Sequence, residues 1–517
     1  MARASVLLCA AATALPATGT SAAAFTPTAE LPDLFTTVGG QKVVTTADWQ
    51  LRRGELKNLV QEHILGTLPP SGGVALLSAT ALNSSNISGA ISSCYIRLAF
   101  EANATNVELD IELAWPTATA KPLPLFFTQW NHRAWGLQGV QRGYMMVLYP
   151  GADTRDASGG FRAAFPAASF HKILARAFVA SRVLDFILAG GKGPATVKNL
   201  PHRLPEVNPA RVTITGHSRN GKQSIIAAAF DERFTAVVGS SPGTPVSAPV
   251  RFSSPDFNGE TTSSVNSHRD WWLPSLKTYF GKEHTLPADG HMILALVAPR
   301  HLMLATARSD GEGDMSFADE QNIQANEPVW KLLGAPSALH IKWREGRHHG
   351  FDDPQTYFDW FDFAAAKPNT GHLFPTTDLL PLPHAFDWAR WSTESAAARP
   401  PVPPQDAPLT ERVDWMLGDS SAITTAGLVG GVAYCESGAV GSEWDYKAKL
   451  MMRDSFHGCR GEKCENHNLT RVSLSFGAYV TASLFLPCDD ASCREITHPL
   501  PVIIFLHGTP FPSYPLL

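Results

Sequence analysis

At 517 residues with 44% hydrophobic content, the chain is long enough for a large buried core and too long for one ordinary domain. Its 42 basic and 47 acidic residues leave a net charge of -5 with no long run of either sign. That balance excludes a nucleic-acid or anionic-membrane surface and leaves a small molecule or a carbohydrate as partner.

From the N-terminus, Met1-Ala2-Arg3 is a short basic start, and the apolar stretch 4–15 is too short to span a bilayer. Small residues at 21–24 then suit a cleavage site, so residues 1–24 are expected to be a secretory signal peptide and the protein to be secreted. Asn-x-Ser/Thr sequons at Asn83, Asn86, Asn103 and Asn468 fit an extracellular glycoprotein. No later segment reaches spanning length. Of the seven cysteines, Cys9 is in the leader, Cys94 stands alone, and Cys435, Cys459, Cys464, Cys488 and Cys493 cluster late. Cys459 with Cys464 and Cys488 with Cys493 are candidate local disulfides, their connectivity left open by the sequence, and neither pair has the spacing of a zinc site.

Residues 48–65 have helical spacing and stop at Leu68-Pro69-Pro70. Alternation over 95–100 and 107–113 predicts paired strands. Apolar runs at 123–128 and 144–149 predict the first buried strands of a parallel sheet, and 170–188 a long crossover helix. A strand over 211–217, another at 234–239, a helix at 291–296 and strands at 301–306 and 339–343 complete a doubly wound, mostly parallel α/β sheet. This α/β-hydrolase unit is expected over 31–395, with a Pro/Ala-rich linker at 396–408. Residues 409–517 then read as an incomplete second hydrolase-like unit: 412–418 resembles the helix end at 63–66, and 499–505 the strand at 122–127. The chain stops before a second serine corner, as a truncated product or partial gene model would.

The chemistry concentrates in Gly216-His217-Ser218-Arg219-Asn220-Gly221-Lys222, where a β-branched run meets a tight turn and small residues start a helix. Such a corner exposes a serine hydroxyl at the carboxyl end of a sheet and sets the next N–H beside a developing oxyanion. Ser218 is therefore the candidate nucleophile. The strand at 301–306 leads to Asp310, with Glu312 and Asp314 as alternative acids, and the strand at 339–343 leads to His348, with His349 as the alternative base. The chain order Ser, Asp, His is that of α/β-hydrolases. Arg219, directly after the nucleophile, can add its positive charge to the oxyanion donors, hold a substrate carboxylate or pair with a surface carboxylate; Lys222 reads as a helix-surface charge. Trp130, Trp135, Trp271 and Trp272 are candidate sugar platforms, although each, as a large apolar residue, reads first as core or fold support; the pair Trp271-Trp272 is foremost among them because it lies in a polar, irregular stretch between corner and acid.

Together these motifs resemble the glucuronoyl esterases and their secreted α/β-hydrolase relatives, whose corner reads Gly-Cys-Ser-Arg-x-Gly-Lys. The resemblance covers roughly residues 31–362 and extends to Ala180-Ser181-Arg182-Val183-Leu184-Asp185, Leu286-Pro287-Ala288-Asp289-Gly290-His291 and Pro328-Val329-Trp330-Lys331-Leu332-Leu333-Gly334. It implies Ser218 as nucleophile, His348 as base and Arg219 as oxyanion stabiliser. Where some members carry an acid after the strand following the corner, this chain has Gly239-Ser240-Ser241-Pro242-Gly243, so the role passes to Asp310. His217 replaces the usual cysteine.

The function expected is that of a secreted serine esterase of polysaccharide glucuronoyl or acetyl esters, working without metal or organic cofactor. Its partner is a polysaccharide or small-molecule ester, with no nucleic acid and no membrane. The alternatives are a prolyl-peptidase-like hydrolase and a carbohydrate-binding protein on a catalytically silent scaffold.

Overall fold

A computed structural model describes residues 30–365 apart from 71–72, 88, 119–121, 154, 190–196, 200–202, 253–259, 263–269, 308–309, 311–315, 345–347 and 350–353, together with the backbone of four strands between 435 and 506. The predicted signal peptide, linker, Asn468 and late disulfide pairs lie outside the described residues, as do Glu312 and Asp314.

Helix α1 (Thr46–Val60) begins at a capping box: the Thr45 hydroxyl accepts from the Asp48 N–H at 3.1 Å, and the Asp48 carboxylate accepts from the Thr45 N–H at 2.9 Å. A single wider turn (Gln61–Leu65) prolongs it, and Gly66 at φ 82° ends it. There a Cβ would stand 1.9 Å from the Ser169 carbonyl oxygen, so no other residue fits without rebuilding the turn.

The sheet is a ten-stranded mixture. Strands β1 (Val74–Ile87), β2 (Ile91–Ala102) and β3 (Thr105–Pro116) form an antiparallel meander. Strands β4 (Leu123–Gln129) and β5 (Met145–Tyr149) are parallel to one another, and β5 joins β3 antiparallel. A hairpin of β6 (Gly151–Ala152) and β7 (Arg155–Asp156) follows, and β8 (Val197–Lys198) pairs with the outer edge of β1. Strands β9 (Val207–His217), β10 (Ala236–Ser240), β11 (His301–Ala307) and β12 (Leu339–Arg344) complete the parallel half. The order is β12-β11-β10-β9-β4-β5-β3-β2-β1-β8. The predicted parallel strands are therefore present. The meander is longer than the alternation suggested, and β1 was not expected because its Ser- and Asn-rich sequence is mostly exposed.

The chain order reverses at β4, which has β5 on one side and β9 on the other; ligands of such sheets bind at the strand ends beside that switch. Helices α2 (Arg133–Gln141), α3 (Ser158–Ala164), α4 (Lys172–Leu188), α5 (Arg219–Phe230), α6 (Gly290–Ala295), α7 (Ser316–Leu332) and α8 (Pro354–Ala364) follow α1 in chain order. Side chains alternate faces. Leu125 and Phe127 enter the main core with α4 and α5, while Phe126 packs on Tyr144, Phe358 and Phe361 beneath α8. Cys94 is a buried free thiol within β2.

In the expected second unit, the described backbone comprises β13 (Cys435–Glu436), β14 (Leu469–Phe476), β15 (Val480–Pro487) and β16 (Ile504–Leu506) in an antiparallel sheet. β16 thus pairs antiparallel to β15, unlike β4, which pairs parallel on both sides.

Burial holds several imidazoles neutral. His132, His301 and His340 are each pushed down to about 4 and His291 to about 3, from an ordinary value of 6.5. Between those values the unfolded chain binds more protons, so stability is full above about pH 6.5 and is lost as pH falls toward about 4. Thermal melts are expected to give a Tm that drops steadily from about pH 7 to about pH 5; an unchanged or higher Tm in acid would contradict this burial.

Candidate active site

Ser218 sits at the end of β9 with φ 58° and ψ -131°, a backbone region that L-residues rarely adopt. The surroundings enforce it. The Ser218 N–H donates to the Ser240 carbonyl of β10 at 2.8 Å, and the Lys222 N–H donates to the Ser218 carbonyl at 3.0 Å as α5 begins. The corner closes only because two glycines lack side chains: a Cβ on Gly216 would lie 2.5 Å from both the Asn220 carbonyl and Gln129 Oε1, and one on Gly221 would lie 2.9 Å from the Gly216 carbonyl. Buried threonines within β9 are satisfied sideways, Thr213 by the Leu125 carbonyl at 2.8 Å and Thr215 by the Val238 carbonyl at 2.9 Å.

Three distant residues meet here. His348 Nε2 lies 2.8 Å from Ser218 Oγ, and His348 Nδ1 lies 2.9 Å from each Asp310 carboxylate oxygen. A carboxylate only accepts, so Nδ1 carries the hydrogen and Nε2 is left to accept from the serine hydroxyl. Asp310 and His348 are 3% and 4% exposed, and the His348 N–H also donates to the Asp310 carbonyl at 3.0 Å. Arg344, at the end of β12, holds His348 from behind: its Nη2 donates to the His348 carbonyl and to Ser241 Oγ, both at 2.7 Å. His349 is exposed on the same turn, its ring 4.7 Å from that of His348. Between the two candidate bases, the geometry brings His348 to the serine.

His217 Nδ1 lies 2.9 Å from Ser240 Oγ, and burial, then the neighbouring His348 and Arg344, hold its imidazole far below its ordinary titration range. The His217 N–H donates to His132 Nε2 at 3.2 Å, so that nitrogen bears no hydrogen. His132 follows β4 and stacks on Trp135 at 4.2 Å.

Arg219 opens α5, where first-turn N–H groups have no intrahelical acceptor. Its side chain, 39% exposed, places Nε 3.0 Å from Asp153 Oδ2 and its guanidinium 5.7 Å from the Trp271 ring centre. Asp153 is shared, for its Oδ1 accepts from the fully buried Arg176 at 2.6 Å. Burial alone would raise the Asp153 pKa, but Arg176 and then Arg219 hold it below the usual carboxylate range.

Two expectations need correction. Lys222 is not a surface charge: it is 1% exposed, donates to the Thr244 carbonyl at 2.8 Å and pairs with Glu260, because the helix face it occupies is turned inward. Trp272 is 1% exposed in the main core and presents no face to a sugar; Trp271, 8% exposed, underlies Arg219. Trp130 instead borders a cleft of about 440 Å³ with Tyr95, Arg97, Asp110, Pro150 and Arg155, and the Arg155 guanidinium lies 3.4 Å from its ring centre.

Comparison with known proteins converges on one group. A sequence model of fungal glucuronyl esterases matches residues 99–334. The 4-O-methyl-glucuronoyl methylesterase of Neurospora crassa is 25% identical over 334 residues, covering 62% of this chain and 77% of its own. That of Cerrena unicolor is 26% identical over 377 residues, covering 71% and 76%. Among solved structures, a carbohydrate esterase family 15 glucuronoyl esterase from Caldicellulosiruptor kristjansonii superposes with a TM-score of 0.56 at 24% identity, over 68% of this chain and 94% of that one. A Sporotrichum thermophile glucuronoyl esterase in complex with methyl 4-O-methyl-beta-D-glucopyranuronate gives 0.54 at 19% identity, over 71% and 95%. These structures establish the α/β-hydrolase fold.

Gly216→Ala is expected to cost roughly 1–3 kcal/mol of stability, since the added methyl meets backbone as well as the Gln129 amide, and to cut ester turnover by displacing Ser218. A variant with the parental Tm and rate would show that the corner has room to spare.

Proposed function

We infer that this chain, a glucuronoyl esterase-like carbohydrate esterase, is a secreted serine hydrolase that cleaves uronic-acid esters of plant or algal polysaccharide. The observation that carries the reading is the single imidazole of His348, within hydrogen-bond distance of Ser218 Oγ on one side and of both Asp310 oxygens on the other. The names of the relatives, 4-O-methyl-glucuronoyl methylesterases, favour a uronic acid over acetate as the acyl half.

Ser218 Oγ attacks the ester carbonyl while His348 Nε2 takes its proton, and Asp310 stabilises the imidazolium that forms. The carbonyl oxygen becomes an oxyanion, met by the Arg219 N–H and guanidinium. Asp153 and Trp271 hold that guanidinium in place beforehand, so little reorganisation accompanies the charge as it develops. His348 then returns the proton to the departing alcohol, leaving an acyl-serine. Water, deprotonated by the same imidazole, attacks the acyl carbon, and collapse releases the carboxylic acid with the proton back on Ser218. The saccharide beyond the reacting ester runs into the cleft beside Trp130, whose aromatic and charged walls suit sugar rings and hydroxyls.

Secretion is supported by the leader-like start and by the sequons Asn83, Asn86 and Asn103, all exposed. Among the described residues no helix is long and apolar enough to cross a membrane.

The purified protein is expected to hydrolyse methyl 4-O-methyl-glucuronate faster than acetylated xylan or p-nitrophenyl acetate. Ser218→Ala is expected to abolish turnover, and Asp310→Asn to lower kcat by about 10⁴-fold through the wrong histidine tautomer. A parent protein inert on every ester but still binding glycan would identify a carbohydrate-binding module instead. Arg219→Met is expected to lower kcat by roughly 10²–10³-fold with little change in KM; a change confined to KM would place the guanidinium in substrate binding.

A further inference from the structure

His217, His348 and His349 converge at the site, with one ring nitrogen of each within 4.8 Å of those of the other two. The ring centres of His217 stand 4.7 Å from His348 and 5.5 Å from His349. We propose that these three histidines bind a divalent transition-metal ion of the Zn²⁺ class, and that its occupancy switches the esterase off reversibly. The binding half stands on geometry alone, whereas the inhibitory half rests on His348 being the base.

Three imidazoles form a ligand set that suits zinc and its neighbours and not the oxygen-seeking magnesium or calcium. Ligating histidines are usually oriented by a partner on their other ring nitrogen, and both buried rings have one. Asp310 accepts from His348 Nδ1 at 2.9 Å, and Ser240 Oγ lies 2.9 Å from His217 Nδ1, so in each case Nε2 is the nitrogen we assign to the ion. Such ligands must be unprotonated.

Zinc–nitrogen bonds of about 2 Å place tetrahedral ligand atoms about 3.3 Å apart, so the present spread must contract. His349 is exposed on a turn and is the ring able to swing inward, while His217 and His348 are held by their hydrogen bonds. Coordination uses the Nε2 lone pair of His348, the same pair that accepts the Ser218 proton. With the ion in place the serine cannot be deprotonated, and no covalent or redox change is required.

The test uses the full chain carrying Ser218→Ala, which binds without turning over. Co²⁺ is expected to give visible absorption of a low-coordinate nitrogen site saturating at one equivalent, and Zn²⁺ to displace it. In the parent, Zn²⁺ is expected to inhibit ester hydrolysis over the same concentration range and EDTA to restore it. His349→Ala, a change at an exposed position, is expected to weaken Zn²⁺ binding and inhibition by at least about tenfold. Absence of saturable Co²⁺ or Zn²⁺ binding to the Ser218→Ala chain, or undiminished binding by His349→Ala, would overturn the site. Stoichiometric Zn²⁺ binding with unimpaired parental turnover would overturn the inhibitory half and leave the assignment of His348 as the base standing.

Discussion

The backbone at Ser218 is held where an L-residue does not rest by choice, at φ 58° and ψ -131°, and the surrounding sheet edge is arranged around keeping it there. The Ser240 carbonyl grips its N–H from the neighbouring strand, and α5 starts at once so that its first turn closes over the corner. That closure works only if Gly216 and Gly221 let backbone approach backbone. A few kcal/mol of strain is sustainable because loosening the corner would also break sheet pairing, helix start and core packing.

Beneath the corner the protein buries several polar groups that are tied to one another. Gln129 Nε2 donates to the Tyr149 hydroxyl at 2.7 Å and lies 3.1 Å from Ser224 Oγ, while Gln223 donates to the same tyrosine at 3.0 Å. Ser224 Oγ in turn donates to the Asn220 carbonyl at 2.7 Å. An apolar core would pack as well, but these directional contacts fix the azimuth of α5 about its axis, and so the direction in which the residues of its first turn point. Arg344 plays the equivalent part for His348 by holding its carbonyl.

Much of this was legible in the sequence because it depends on local pattern. The β-branched run before Ser218 and the small residues after it specify a strand-to-helix corner, and the two apolar strands preceding Asp310 and His348 fix both residues at the same sheet edge. What the sequence hid depends on long-range contacts. Nothing near Asp153 announces that it would bridge Arg176 and Arg219, and nothing around Arg344 or His132 distinguishes them from ordinary loop residues. Lys222 was misjudged because charge is a good guide to exposure except where a partner waits inside, here Glu260 and the Thr244 carbonyl. Trp272 takes the plainer of its two readings, a large apolar ring in the core, whatever the polarity of its neighbours in sequence.

The strand order also dictates how the molecule assembles. The meander β1–β3 joins neighbours in sequence, so its hairpins close with little loss of chain entropy. The opposite half is non-local: β9 must insert between β4 and β10, and β11 and β12 arrive from far downstream. The meander is therefore the low-cost part of the sheet in loop-closure entropy, and only the completed sheet brings Ser218, Asp310 and His348 into register.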